Sequence, residues 1–127
     1  MGAQSGNMGA QSGKQQADCL FCRIVAGQLP AVVVRTGERV LAFRDLNPQA
    51  PTHVLVIPTE HYANVEELAT GDAAALAELV QLGAGIAAEA DDGGFRLVFN
   101  TGPRSGQSVF HVHGHVLAGR NLTWPPG

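Results

Sequence analysis

Apolar positions recur at two spacings along this chain. Alternating or β-branched runs occupy Ala31–Arg35, Arg39–Arg44, His53–Ile57, Phe95–Asn100 and Val109–Ala118, and predict five strands. Thr36-Gly37-Glu38 joins the first two as a hairpin, and Pro58 stops the third. Asp45–Thr52, with Asn47, Pro48 and Pro51, is a loop. Between Asp72 and Ala90 the spacing becomes three and four: Leu76, Leu79, Val80, Gly83, Ile86 and Ala87 share one stripe, which predicts the one long helix. Asp72 is its N-cap, and Gly93-Gly94 lies just past its end. Gly83 and Gly85 each cost about 1 kcal/mol relative to Ala, which a close packing contact would offset. Cys19–Ala26 is a short helical turn closed by Gly27. Hairpin-linked strands with few helices give an α+β fold, an antiparallel sheet with its helices on one face.

At 127 residues and 45% hydrophobic, the chain suits one domain with one core. Met1–Gly6 returns almost verbatim as Met8–Gly13, so residues 1–16 read as a disordered tail or a duplicated start, and the domain is expected over residues 17–127. A net charge of −3 without a Lys/Arg cluster speaks against a nucleic-acid partner. No apolar run approaches the roughly 20 residues of a membrane span, and no export signal is visible, so no membrane partner and a cytoplasmic location are expected. A local pocket of amide donors and imidazoles can still hold a small phosphorylated ligand inside an acidic protein.

Candidate chemistry concentrates in Ser108–Leu117, where His111, His113 and His115 alternate with apolar or small residues. Period two sends all three to one face of a strand, neighbours about 7 Å apart. Three imidazoles make poor core, because each brings two nitrogens that need partners. His111 and His115, roughly 13 Å apart on an extended strand, cannot both hold one ion, so the three have different roles. A His-rich polar face without function is the plain alternative. Acid/base or nucleophilic work suits a side chain with a pKa near 6.5. Asn100–Ser108, rich in Gly and small polar residues, precedes the strand and can turn several N–H groups toward an anion. Cys19-x-x-Cys22 is half of a tetrahedral zinc site whose other ligands are two of the five histidines. A redox pair or two buried thiols are the alternatives.

The histidine strand resembles the histidine triad (HIT) motif, His-φ-His-φ-His-φ-φ with φ apolar. The resemblance extends to Leu41-Ala42-Phe43-Arg44-Asp45, Pro48-Gln49-Ala50-Pro51-Thr52-His53, Val56-Ile57-Pro58 and Gly106-Gln107-Ser108. It covers the chain from about Cys19 to the C-terminus. Gln107-Ser108 and the ending Trp124-Pro125-Pro126-Gly127 are similar to the Hint-like branch, homodimeric purine nucleoside phosphoramidases. The resemblance implies that His113 attacks the phosphorus of a nucleoside 5′-phosphoramidate, forming a nucleotidyl-histidine that water resolves. His115 and Ser108 would sit near the phosphate and leaving group, and His53 would contact the nucleophilic ring in a proton relay. Asp45 would bind the ribose hydroxyls, Phe21, Ile24 and Phe43 would wall the base pocket, and Asn100, Gly106 and Gln107 would orient the phosphate. The zinc ligands implied are Cys19, Cys22, His61 and His111, a closed structural set; no organic cofactor is implied.

Position 114, normally bulky and apolar in the motif, is Gly114, and a helix or a second subunit is expected to approach its backbone. The family pairs subunits through the long helix and the fifth strand into a ten-stranded sheet. A dinucleoside polyphosphate hydrolase or phosphorylase is the alternative within the family. A non-catalytic nucleotide- or zinc-binding interaction protein is the alternative of another class.

Overall fold

The computed structural model describes residues 15–90 and 93–127; the repeat Met1–Gly13 lies outside the described residues. Five strands, β1 (Val33–Thr36), β2 (Val40–Arg44), β3 (Thr52–Pro58), β4 (Phe95–Val98) and β5 (Gly114–Ala118), form one sheet in the order β1-β2-β3-β5-β4, every neighbouring pair antiparallel. β3 lies between β2 and β5 and is covered on both faces, which is why it reads as a continuous apolar run. Its side chains divide by parity. Val54 and Val56 join Val40, Ala42, Val116 and Leu79 of helix α3 (Ala73–Ala90) in the larger core. Leu55 and Ile57 join Leu41, Phe43 and Phe21 of helix α1 (Leu20–Val25) in a smaller cluster on the other face. The helices therefore cover both faces, a correction to the one-sided arrangement expected: the apolar α1 supplies the second lid.

A further helix, α2 (Val65–Gly71), occupies a stretch to which the sequence pattern assigned no element. Its signal was present. Asn64 is the N-cap, accepting the Glu67 N–H at 2.9 Å, and Glu67 returns to the Ala63 N–H at 3.3 Å. Asp72 ends α2 and starts α3, its side chain taking the Ala75 N–H at 3.1 Å.

The 18-residue α3 has a mean hydropathy of 1.3 and is, by length and composition, apolar enough to cross a membrane, contrary to the reading that no such run exists. Its apolarity has a use within the fold, because Ala75, Leu79, Gly83, Ile86 and Ala87 are buried against the sheet. Gly83 permits that contact: a Cβ there would come within 2.9 Å of Val116. Gly114 is the matching device on the sheet. A Cβ would meet Leu97 at 2.9 Å, Phe99 at 3.1 Å and Leu79 of α3 at 3.2 Å, so the helix approaches its backbone as expected.

The predicted last strand is shorter than its alternation suggested. Its ladder with β3 begins at Gly114, opposite Val56, so His111 and His113 precede it. In continued register Val112 would face Pro58, which has no N–H to give. Val112 donates instead to the Tyr62 carbonyl at 2.7 Å. The alternation of faces survives outside the ladder: Val112 joins the α3 core, and His111 and His113 turn to the α1 side, where both rings meet Phe21.

Candidate active site and metal centre

On the α1 side four of the five histidines sort into two groups. Cys19, Cys22, His61 and His111 bring one ligand atom each within 4.8 Å of one another. Cys19 caps α1, its Sγ accepting the Cys22 N–H at 3.4 Å, and the turn of helix carries Cys22 back to the same point. Cys19 Sγ lies 3.4 Å from His111 Nδ1, and Cys22 Sγ lies 3.5 Å from both His61 Nδ1 and His111 Nδ1. Zinc with ordinary bond lengths requires sulfur–nitrogen edges of roughly 3.5 Å in a tetrahedron, so the donor set fits that ion. The tautomer agrees. His111, fully buried, donates Nε2–H to the Pro58 carbonyl at 2.9 Å, which leaves its Nδ1 lone pair facing the sulfurs. Hydrogen bonding between the two sulfurs pushes the Cys19 thiol pKa down and the Cys22 thiol pKa up.

The second group is Asp45, His53 and His115. The Gln49 N–H donates to His53 Nδ1 at 3.0 Å, so His53 carries its proton on Nε2 and presents it to His115 Nδ1, 3.0 Å away. His115 then holds its own proton on Nε2. Asp45 Oδ2 stands 3.4 Å from His53 Nε2 and 3.8 Å from His115 Nδ1, within reach of both N–H groups should His115 become protonated. Desolvation and the neighbouring His113 and His53 lower the His115 pKa to about 4, against the pull of Asp45. Burial likewise lowers His53.

His113 stands between the groups. Its Nδ1–H donates to the His111 carbonyl at 2.9 Å, leaving the Nε2 lone pair unengaged by that bond. Phe21 packs edge-on to the ring at 5.1 Å, and His115 lies 5.1 Å from it on the other side. Burial lowers its pKa and keeps it neutral, the form that can attack.

Two sequence expectations are revised by these positions. His53 was expected against the nucleophilic ring, yet its partner is His115; register explains it, since Leu55 stands opposite His115 and His53 is the diagonal neighbour on the same face. Gln107 was expected to orient a phosphate, but its side chain is buried and occupied: Oε1 accepts the Gly102 N–H at 2.9 Å, and Nε2 donates to the carbonyls of Ala63 at 2.7 Å and Val109 at 3.1 Å. These side-chain bonds fix the loop. Gly106, at φ 98°, closes the 3₁₀ turn Pro103–Ser105 in a conformation that favours glycine. Ser108 is exposed beside this turn, and Asn100 is half-buried just after β4. Phe21 and Phe43 are buried, 5.5 Å apart edge-to-face, with Ile24 packed against their cluster. Asp45 Oδ1 accepts the Asn47 N–H at 2.8 Å. Sequence reasoning missed Gln49, Pro58, Tyr62 and Ala63, which act through backbone groups that residue type does not reveal.

The HIT domain family profile matches residues 26–122. An uncharacterised HIT-like protein of Synechococcus elongatus is 46% identical over 111 residues, 87% of this chain and 97% of that protein. A 14 kDa zinc-binding protein of Zea mays is 43% identical over 116 residues, 85% of this chain and 87% of that protein. Among solved structures, a HIT family hydrolase from Legionella pneumophila Philadelphia 1 superposes with a TM-score of 0.79 at 46% identity, covering 87% of this chain and all of that one. A zinc-bound histidine triad family protein from Mycobacterium smegmatis gives 0.74 at 32% identity, covering 82% and 76%. The chain belongs to the histidine triad (HIT) domain family.

Proposed function

We propose that this protein hydrolyses purine nucleoside 5′-phosphoramidates, with acyl-adenylates as a second substrate class. The observation that carries the reading is the tautomer of His113: donation of Nδ1–H to the His111 carbonyl aims a neutral Nε2 lone pair away from its own chain, beside a second imidazole with an Nε2 proton to give. Nε2 of His113 attacks the phosphorus, the P–N bond to the amine breaks, and protonated His115 gives its Nε2 proton to the departing nitrogen. As His115 is protonated, its Nδ1–H and the His53 Nε2–H turn to Asp45 Oδ2. Water then attacks the nucleotidyl-histidine with His115 as base, the second P–N bond breaks, and the nucleoside monophosphate leaves. The Ser108 hydroxyl, beside a loop whose Gly102, Ser105, Gly106 and Gln107 N–H groups are bonded within the loop, stabilises the phosphoryl oxygens. Each oxygen of Asp45 keeps a lone pair for the ribose hydroxyls, and Phe21, Ile24 and Phe43 border the base.

Cys19, Cys22, His61 and His111 would hold a zinc ion, and four protein donors would give it a structural rather than a catalytic part. When bound, the ion cross-links α1, the segment after β3 and the triad. The working unit is a homodimer. Phe95 on the edge strand β4, Val80 on α3 and the tail's Trp124 are exposed apolar residues that a partner would cover. A ten-stranded sheet must join at an edge, and β5 is interior; of the two edge strands, β1 and β4, this reading takes β4, where Phe95 is exposed.

Hydrolysis of adenosine 5′-phosphoramidate, with diadenosine tetraphosphate in parallel, tests the reading. AMP release from the phosphoramidate, reduced at least about 10³-fold in His113→Ala, is the expected result. Preference for the dinucleotide would move the protein to polyphosphate chemistry. Nucleotide binding without turnover would make it a binding module.

A further inference from the structure

Residues 107–113 carry the candidate nucleophile, yet they lie before the ladder that begins at Gly114. They are attached instead to the segment that ends β3 and follows it. Gln107 reaches Ala63 O at 2.7 Å, the Val112 N–H reaches Tyr62 O at 2.7 Å, and His111 Nε2–H reaches Pro58 O at 2.9 Å. The remaining attachment is the metal cluster, which sets His61 of that segment and His111 against the same two sulfurs. His111 is thus engaged at three places: Nδ1 faces the cluster, Nε2 holds Pro58, and its carbonyl takes the proton that fixes the His113 tautomer.

We infer that His111 is the positioning residue for the His113 nucleophile, and that oxidation of Cys19 and Cys22 to a disulfide, with loss of zinc, releases that position. The inference rests on the reading of His113 as the nucleophile. A peroxide is the oxidant. Cys19, the less buried of the two, attacks a peroxide oxygen; the O–O bond breaks, hydroxide leaves and takes a proton as water, and a sulfenic acid forms. The Cys22 thiolate attacks that sulfur, the S–S bond forms, the S–O bond breaks, and hydroxide leaves and takes a second proton. Two thiolates, one hydrogen peroxide and two protons become one disulfide and two waters. The sulfurs already lie within 4.8 Å, so closure to a bond of about 2.05 Å is a local movement. Sulfurs bonded to each other no longer offer two anionic ligands, so zinc loses half of its set. His111 then keeps the Pro58 carbonyl as the one polar partner of its ring, with Phe21 packed edge-on against it, to orient the ring and, through its backbone, His113.

The test treats the full, zinc-loaded chain with graded hydrogen peroxide. Mass spectrometry follows the disulfide, a chromogenic chelator follows zinc, and nitrogen–proton correlation of the imidazoles follows the His113 tautomer. One zinc leaves per disulfide, and His113 passes from a single Nδ1–H tautomer to a mixture. The kcat on the phosphoramidate falls about 10- to 100-fold with KM changed less than about twofold. Thiol reductant with zinc restores both signals. Zinc loss with an unmoved His113 tautomer overturns the coupling, and survival of both thiols at doses that oxidise free cysteine overturns the switch. If the reduced, loaded chain does not turn over the phosphoramidate, the proposed reaction fails, while the tautomer readout still decides whether His111 positions His113. Cys19→Asp keeps a helix-capping oxygen and a metal ligand but cannot form the disulfide. Its His113 tautomer is expected not to respond to peroxide; a response equal to the parent's overturns the switch.

Discussion

Two clusters on one face of the sheet are built from similar parts and are suited to opposite work. Cys19, Cys22, His61 and His111 form one; Asp45, His53 and His115 form the other. Proximity does not separate them, since each gathers its atoms within 4.8 Å. What separates them is the group behind the ring. Behind His111 stands an acceptor, the Pro58 carbonyl, which takes the proton and leaves a lone pair at the front. Behind His53 stands a donor, the Gln49 N–H, which occupies the rear lone pair and forces the proton to the front. A ring backed by an acceptor can hold a cation, and a ring backed by a donor presents a proton. One backbone group sets the chemistry of each imidazole.

The largest effect expected from breaking this contrast lies at the metal side. Removing zinc by chelation, or Cys22→Ala, takes away a ligand that binds only the native state. At metal a thousandfold above its Kd the loss is about 4 kcal/mol, read as a fall in the denaturant midpoint that added zinc no longer reverses in the variant. Next comes an attempt to convert the relay. Gln49→Pro deletes the N–H behind His53, frees its Nδ1 to carry the proton, and lets Nε2 act as a ligand. Cobalt titration should then detect a second site at least about tenfold tighter than in the parent. An unchanged second-site affinity would show that the donor does not decide.

A smaller effect is expected where the two clusters meet. Gly114→Ala would place a Cβ 2.9 Å from Leu97 and 3.2 Å from Leu79, at the joint between His113 and His115. Destabilisation of about 1–3 kcal/mol should follow in chemical denaturation, because α3 and β5 cannot both keep their places. The smallest signal is protonic. With the His115 pKa near 4, held down by burial and by His113 and His53 against Asp45, the free protein has this ring neutral at pH 6. A bound phosphate stabilises the imidazolium and raises the pKa, so AMP binding should take up protons between the free and bound values. Calorimetry in buffers of different ionisation enthalpy measures this, and His115→Asn should abolish it.

Much of this was legible in the chain itself. Alternation in His111–His115 placed three rings on one face even though the ladder begins only at Gly114, because parity outlasts hydrogen bonding. The stripe in α3 was legible for the same reason, except that Val80 sits at its margin and stays exposed. Helix α2 was missed although Asn64 and Glu67 spelled its start, since seven residues are too few to show periodicity. Cys19-x-x-Cys22 declared half a metal site, but the choice of His61 and His111 depends on where Pro58 ends a strand. The tautomers were not legible at all. They depend on the carbonyls of Pro58 and His111 and the amide of Gln49, which every sequence possesses and only a fold aims.

Pro58 shows how little chemistry is needed to mark a boundary. A valine there would bring an amide proton to the end of β3 and invite the opposite chain to zip onward through Val112. The triad would straighten into ordinary pleat, and the carbonyl that now receives an imidazole would answer to a backbone instead. The line between a sheet and a reactive corner is drawn here by one hydrogen that a pyrrolidine ring does not have.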